Sequence, residues 1–289
     1  MVGVALLVAL AAGTIDDQAV RREPLMLGGF DVLQVDFHTH SSTWSDGALT
    51  PFGLVHEARA RGLDAFAITG HDQTLDAKVG QWYSRLIDGP IVLRGEEVLW
   101  PTHHIIAAGI VDTIDFSPNA AEVIDKIHQQ GGVAIAAHPN PPTDEYDARA
   151  IASLDGAEIC HPIGHIAPDV QREFERFRTR GNFAAIGSSD FHGLGPMGSC
   201  RTYVFVRDRT ERGIVEAVRE RRTVVYGPEG RVYGDPELIK LGAGDGRMGE
   251  SLPPRSRSIA AWVSGVFAVI AFALLLTWGP RQRAPAENV

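Results

Sequence analysis

The sequence predicts an α/β fold whose strands gather into a barrel-like parallel sheet, and three observations carry that prediction. Strand-like apolar runs alternate with amphipathic helical stretches between about residues 30 and 240. Nearly every apolar run abuts a His, Asp or Glu, as expected where the carboxyl ends of parallel strands open on one catalytic rim. The 289 residues, 44% of them hydrophobic, suffice for one large core with appended ends.

The first strand lies in Asp31 to Asp46, an apolar run ending in Asp36-Phe37-His38-Thr39-His40 before a polar loop introduces Asp46. Alternate residues of an extended segment point the same way, so His38 and His40 face one side and can grip one cation. Thr50-Pro51 then supplies a capping side chain and a proline for a helix with Leu54, Val55 and Ala58 inward, closed by Gly62. His56 on that helix reads as structural or exposed. A run from Leu63 to Thr69 precedes His71, IVLRGEE ends at Glu97, and His104 opens IIAAGI. Ser117-Pro118 starts a second helix carrying Val123, Ile124 and Ile127 inward, with His128 at the surface. VAIAA precedes His138, GAEIC precedes His161, and FAAIGSS precedes Asp190 and His192. Pro168 to Arg180 predicts a helix with Phe174 and Phe177 inward and alternating charges outward. CRTYVFV predicts a strand, and Thr210 to Arg221 a helix burying Ile214, Val215 and Val218.

The formal charge of −9 argues against a generic nucleic-acid binder. Cys160 and Cys200 are too few for a disulfide framework or a cysteine zinc site. A pair of free thiols is the favoured reading, with a single disulfide as the alternative if the domain is exported.

Ile259 to Trp278 is uncharged and about 20 residues long, enough to cross a bilayer, with a Trp near each end. Arg255 and Arg257 precede it and Arg281 and Arg283 follow it, so the positive-inside rule leaves orientation undecided. MVGVALLVALAAG resembles the apolar part of a signal peptide or a partial membrane helix. If it directs export, the domain lies outside the cytoplasm. The expected organisation is an apolar amino-terminal segment over 1–29, the domain over 30–240, a proline-containing linker over 241–258, a transmembrane helix over 259–278 and a tail over 279–289.

The order of motifs resembles the polymerase and histidinol phosphatase (PHP) superfamily of metal-dependent phosphoesterases. The matching stretches are DFHTHSSTWSDGALTP, GLDAFAITGHD, RGEEV, HHIIAAGI, AIAAHP, GSSDFH and RVYGDPEL. The resemblance implies a distorted seven-stranded β/α barrel with a centre of two or three ions. It implies that His38, His40, Glu97 and Asp190 hold one ion, that Glu97, His104 and His138 hold a second, and that Asp46, His71 and His192 hold a third. Gly70 stands where the family usually reads Asp.

Imidazole and carboxylate ligands without thiolates suit manganese, zinc or iron. Such a centre generates hydroxide near neutral pH and clamps phosphate oxygens. His161, Asp72, Arg149 and Arg201 are the further candidates: a ring facing the rim, a carboxylate beside His71 and two guanidinium groups matched to phosphate. The expected function is a membrane-tethered phosphoesterase acting on a small phosphomonoester or nucleotide, with no nucleic-acid partner. The alternatives are a nuclease acting on nucleic-acid ends and a non-catalytic metal-stabilised sensor.

Overall fold

A computed structural model describes residues 1–18, 23–251 and 259–277, and the chain divides into two compact units, 22–253 and the ends 1–21 with 254–289. In the smaller unit, helix α1 (Val2–Gln18) buries Ala5, Ala9 and Ala12, and the Ser264 hydroxyl of the apolar carboxyl-terminal helix (Ile259–Thr277) donates to the Ala9 carbonyl at 2.8 Å. Small residues allow such close approach of two apolar helices. Trp278, the four flanking arginines and the tail lie outside the described residues.

In the larger unit a two-residue strand, β1 (Met26–Leu27), pairs with β2 (Phe30–Asp36). Helix α2 (Pro51–Ala60) follows, its first turn capped by the Thr50 side chain, which accepts from the Gly53 N–H at 3.2 Å. Next come β3 (Ala65–Ile68), α3 (Leu75–Leu86), β4 (Ile91–Trp100) and β5 (His103–Ala108). The helix expected from Ser117-Pro118 begins two residues later as α4 (Ala120–Gln129), because the Asn119 side chain accepts from the Ala121 and Glu122 N–H groups. Then follow β6 (Val133–Ala136), α5 (Ala148–Ser153), β7 (Gly156–Cys160), α6 (Pro162–Ile166), α7 (Pro168–Arg178) and β8 (Ala184–Gly187). Phe174 and Phe177 of α7 are buried. The chain continues through β9 (Thr202–Val206), α8 (Glu211–Arg219), β10 (Thr223–Tyr226), β11 (Val232–Gly234) and α9 (Pro236–Ala243).

Ten strands bond in the order β11-β10-β9-β2-β3-β4-β5-β6-β7-β8, with β1 beside β2. The expected seven parallel strands are therefore a mixed sheet of about ten. Pairs β2–β3, β3–β4, β6–β7 and β7–β8 are parallel, whereas β5 runs against both neighbours and β9 runs against β2. The β4–β5 hairpin explains why His104 opens its strand: in an antiparallel strand the amino end lies on the rim formed by its neighbours' carboxyl ends. The sheet nearly closes at β8. The Thr202 hydroxyl bonds both the N–H and C=O of Gly187, and beyond β2 Thr39 bridges Phe191.

Leu33, Val35, Phe37, Leu93, Ile106, Val133, Ile135, Ile186 and Val204 fill the interior, and Ile214 and Val218 of α8 belong to the same cluster. Each such side chain contributes about 1.5–3 kcal/mol by leaving water. Separate apolar layers lie under α2 with α3 and under α4 with α5. Residues 241–251, expected as linker, continue the packed unit instead. Met248 is buried with Tyr203, Val224 and Leu238, and the Gly249 N–H donates to the Tyr203 hydroxyl.

Candidate metal centre

Strand ends deliver the residues. β2 ends at Asp36, and the extended chain beyond it places His38 and His40, both fully buried, on one side. Buried Asp36 does not join them. Its carboxylate accepts from the Ser189 N–H and hydroxyl and from the Gly198 N–H, binding β2 to the loop that bears Asp190 and His192. Burial pushes its pKa up to about 6.

Glu97 lies at the centre. Its Oε2 is 3.2 Å from His38 Nε2, 3.5 Å from His40 Nε2 and 3.4 Å from His71 Nε2. Its Oε1 is 3.1 Å from both His104 Nδ1 and His138 Nε2. Asp190 Oδ1 adds contacts of 3.3 Å to His38 and 3.1 Å to His40. Asp46 Oδ1 stands 3.1 Å from His192 Nε2, 3.5 Å from His40 Nδ1 and 3.8 Å from His71 Nε2. The structure thus brings His38, His40, Asp46, His71, Glu97, His104, His138, Asp190 and His192 into one cluster. Within it, groups of three or four donors converge to metal-binding spacing.

The donor set fits divalent cations. Among the described residues, buried His40 Nε2, Asp190 Oδ1 and His161 Nε2 make no well-aligned hydrogen bond, although His40 Nε2 stands 3.1 Å from Asp190 Oδ1 and His161 Nε2 3.3 Å from Asp190 Oδ2. Buried polar atoms left so are expected where an ion completes their environment. Electrostatics agree on which groups carry charge. Burial works against charging His38, but Asp190, Glu97 and Glu158 outweigh it and hold its pKa well above the ordinary value. Burial likewise opposes ionisation of Glu97 and Asp190, yet the surrounding imidazoles keep both carboxyls well below the usual range.

The alternation of β4 turns the adjacent Glu96 to the opposite face. There it accepts from the Ile114 N–H, and burial raises its pKa to about 8. His103 likewise leaves the cluster and lies beside Tyr146, 5.9 Å between ring centroids. A side chain at Gly70 would have to displace two neighbouring side-chain ends. Its Cβ would stand 2.2 Å from Gln73 Nε2 and 2.5 Å from Asp76 Oδ2, so the carboxylate of α3 fills that space, bonded to the Ser41 hydroxyl.

The four further candidates separate. His161 reaches the cluster: its Nδ1 accepts from the Ile163 N–H at 3.2 Å and its Nε2 lies 3.3 Å from Asp190 Oδ2. Asp72 braces the cluster from outside, its N–H donating to the Glu97 carbonyl and its carboxylate accepting from the Leu99 N–H. Arg149 does not reach it. It sits exposed on α5, paired with Asp125. Arg201 is buried and bonded to Gln34 Oε1, the Gly198 carbonyl, the Tyr203 hydroxyl and the Glu250 carbonyl, so its donors are committed to the scaffold. His56 pairs with the Tyr83 hydroxyl and His128 with Asp155.

Glu158 was missed by the sequence reading. Fully buried on β7, it accepts from His38 Nδ1 at 3.1 Å and from the His138 N–H at 2.5 Å, so it holds two cluster residues at once. A lone acid inside the apolar run GAEIC was the available signal, because a buried charge needs a partner. The cysteines also correct the free-thiol reading. Cys160 and Cys200 form a disulfide joining the end of β7 to the loop after β8, and His165 Nε2 lies 3.2 Å from the Cys200 sulfur.

The PHP-associated family model matches residues 171–223, from α7 into β10 and including Asp190 and His192. "Probable phosphatase YcdX" of Escherichia coli K12 is 23% identical over 212 residues, covering 61% of this chain and 86% of that protein. Its Shigella flexneri counterpart matches equally. Among solved structures, a two-domain Bacteroides vulgatus protein containing a PHP-like metal-dependent phosphoesterase superposes with a TM-score of 0.64 at 24% identity, covering 78% of this chain and 73% of that one. With the ordered motifs, the near-closed barrel and the cluster on its rim, these matches make the chain similar to the polymerase and histidinol phosphatase superfamily of metal-dependent phosphoesterases.

Proposed function

We propose that the protein is a membrane-tethered phosphoesterase that hydrolyses small phosphomonoesters at the cluster around Glu97. The observation that carries this reading is the single buried carboxylate facing five imidazoles, with both of its oxygens engaged. In this reading His38, His40, Glu97 and Asp190 hold one ion, Glu97, His104 and His138 a second, and Asp46, His71 and His192 a third. Such ions, when bound, supply Lewis acidity that activates water and neutralises phosphate charge.

The chain's own groups divide the remaining work. Glu97, nearly inaccessible and shared, fixes the spacing of the inner residues. Glu158 orients His38 by accepting from Nδ1, which leaves Nε2 facing Glu97 and Asp190. Asp46, His71 and His192 have 56%, 31% and 33% of their side-chain surface exposed, so they form the side that a substrate meets from solvent. His161, accepting at Nδ1, carries its proton on Nε2 beside Asp190, where it can serve a departing oxygen.

The tether reading rests on Ile259–Thr277, which is long and apolar enough to span a bilayer. The Cys160–Cys200 disulfide supports an extracytoplasmic domain, since such bonds persist in oxidising compartments. The test is phosphate release by purified, manganese-loaded protein across a panel of monoesters, with His38→Ala as the blank. Turnover confined to the unmodified chain is expected. A preference for oligonucleotides would favour a nuclease, and silence across the panel would favour a sensor.

A further inference from the structure

Asp76 is a buried acid that the centre described above does not use. It lies in the first turn of α3 with no exposed surface, and among the described residues no Lys, Arg or His forms an ion pair with it. A carboxylate taken out of water is costly unless its oxygens are bonded. Here Oδ1 accepts from the Ala77 N–H at 2.7 Å, at the positive end of the helix, and Oδ2 accepts from the Ser41 hydroxyl at 2.9 Å.

These contacts set one carboxylate between two segments that deliver cluster residues. Ser41 directly follows His40, and Gly70 directly precedes His71. A Cβ built on Gly70 would stand 2.5 Å from Asp76 Oδ2, so the carboxylate lies against the backbone just before His71. The exits of β2 and β3 are already joined at Thr39 and Thr69: the Thr69 N–H donates to the Thr39 carbonyl at 2.9 Å, and the Thr39 N–H to the Thr69 hydroxyl at 3.1 Å. Asp76 joins the two segments again, one step farther along. Ser41 is also the root of the loop bearing Asp46, since its carbonyl accepts from the Gly47 N–H and its hydroxyl from the Thr43 N–H. The rest of that loop is tied to the other outer residues. Ser45 Oγ stands 3.3 Å from His40 Nδ1 and accepts from the His71 N–H, and the Ala48 N–H donates to the His192 carbonyl.

Resting on the reading that Asp46, His71 and His192 hold one ion, we propose that Asp76 is a positioning residue for that outer ion: its carboxylate fixes the root of the Asp46 loop against the backbone that carries His71. Asp76 touches none of the three residues itself and acts through Ser41 and Gly70. The role belongs to a carboxylate in this space, whichever strand or helix supplies it. A side chain on residue 70 enters the same space from the end of β3, so an aspartate there would take over the bond to Ser41 once Asp76 is removed. With Asp76 in place, the same aspartate would crowd it.

The experiment titrates manganese into metal-free, full-length protein in detergent by calorimetry and follows phosphate release from 4-nitrophenyl phosphate. Asp46→Ala marks the outer equivalent as the one it loses. We expect Asp76→Ala to weaken that equivalent about tenfold, the lower end of what removing an outer partner costs, while the other ions bind as before. Ser41→Ala should weaken it in the same sense, and so should Gly70→Asp alone. The double variant Gly70→Asp/Asp76→Ala should regain most of the lost affinity, which a role confined to packing would not restore. An outer equivalent unchanged in Asp76→Ala, a loss spread evenly over all the ions, or a double variant no tighter than Asp76→Ala overturns the assignment. If Asp76→Ala does not fold, wild-type affinity in Ser41→Ala, or an outer equivalent still weakened about tenfold in the double variant, overturns it instead. An Asp46→Ala protein that keeps every equivalent removes the outer ion and the assignment with it. Absence of phosphate release from every form, with the calorimetric pattern intact, overturns the hydrolase reading alone.

Discussion

At the scale of single residues, partners decide roles. Glu158 makes two hydrogen bonds to cluster residues, so Glu158→Gln should keep the shape of the side chain while weakening its grip on His38. Removing such an outer carboxylate typically costs about 10–100-fold in metal affinity. Isothermal titration with manganese should show that loss, and a drop in thermal midpoint with unchanged affinity would reduce Glu158 to a packing role. The two arginines make opposite predictions. Arg149, exposed and paired with Asp125, should tolerate alanine within about 0.5 kcal/mol and with unchanged turnover. Arg201→Ala leaves Gln34 and several backbone groups unsatisfied in a buried setting and should cost roughly 2–3 kcal/mol in denaturant unfolding. Both arginines looked alike in the sequence as phosphate contacts, because guanidinium chemistry is a local property and its partners are not.

At the scale of elements, the loop from Ser41 to Leu49 links strand geometry to the exposed side of the cluster. Gly47 has no room for a side chain: a Cβ there would lie 2.0 Å from the His40 carbonyl oxygen, a backbone atom that cannot swing aside. Gly47→Ala should therefore displace Asp46, lowering turnover at least tenfold and bound metal by about one equivalent, at a stability cost of about 1–3 kcal/mol. Metal analysis beside steady-state rates checks this, and full occupancy with normal rate would separate the loop from the site. The caps at Thr50 and the inward faces of α7 and α8 were legible because capping side chains and a 3.6-residue period are local. The antiparallel course of β5 was written only faintly, in a histidine that opens its strand instead of closing it. Helix α3 went unread, although its Asp76 fills the space beside Gly70.

At the scale of the whole molecule, a barrel mouth that gathers carboxylates and imidazoles at metal-binding spacing couples the proposed cations to the fold. Chelation should lower the thermal midpoint of the 22–253 unit. An ion present at about 1,000 times its dissociation constant adds about 4 kcal/mol, worth roughly 10 °C in a domain of this size. Differential scanning fluorimetry with EDTA, followed by manganese, should show the fall and its reversal, and an insensitive midpoint would argue against structural coupling of the ions. Removing 254–289 should move the protein from the membrane to the soluble fraction of a cell lysate with its metal content retained. Persistence in the membrane fraction would assign the anchor to other residues.

The sequence by itself determined the kinds of groups available and their order along the chain. Alternating strand and helix periods, ligand-type side chains abutting apolar runs and one long uncharged segment are all properties of neighbouring residues. Only the tertiary structure decided which strands neighbour which, that β9 to β11 extend the sheet beyond β2, and that Glu158, not Arg149 or Arg201, stands behind the cluster. The physical reason is range. Periodicity and side-chain chemistry act within a few residues, whereas strand direction, closure and the partner of a buried charge depend on segments more than a hundred residues apart, as with His38 and Glu158.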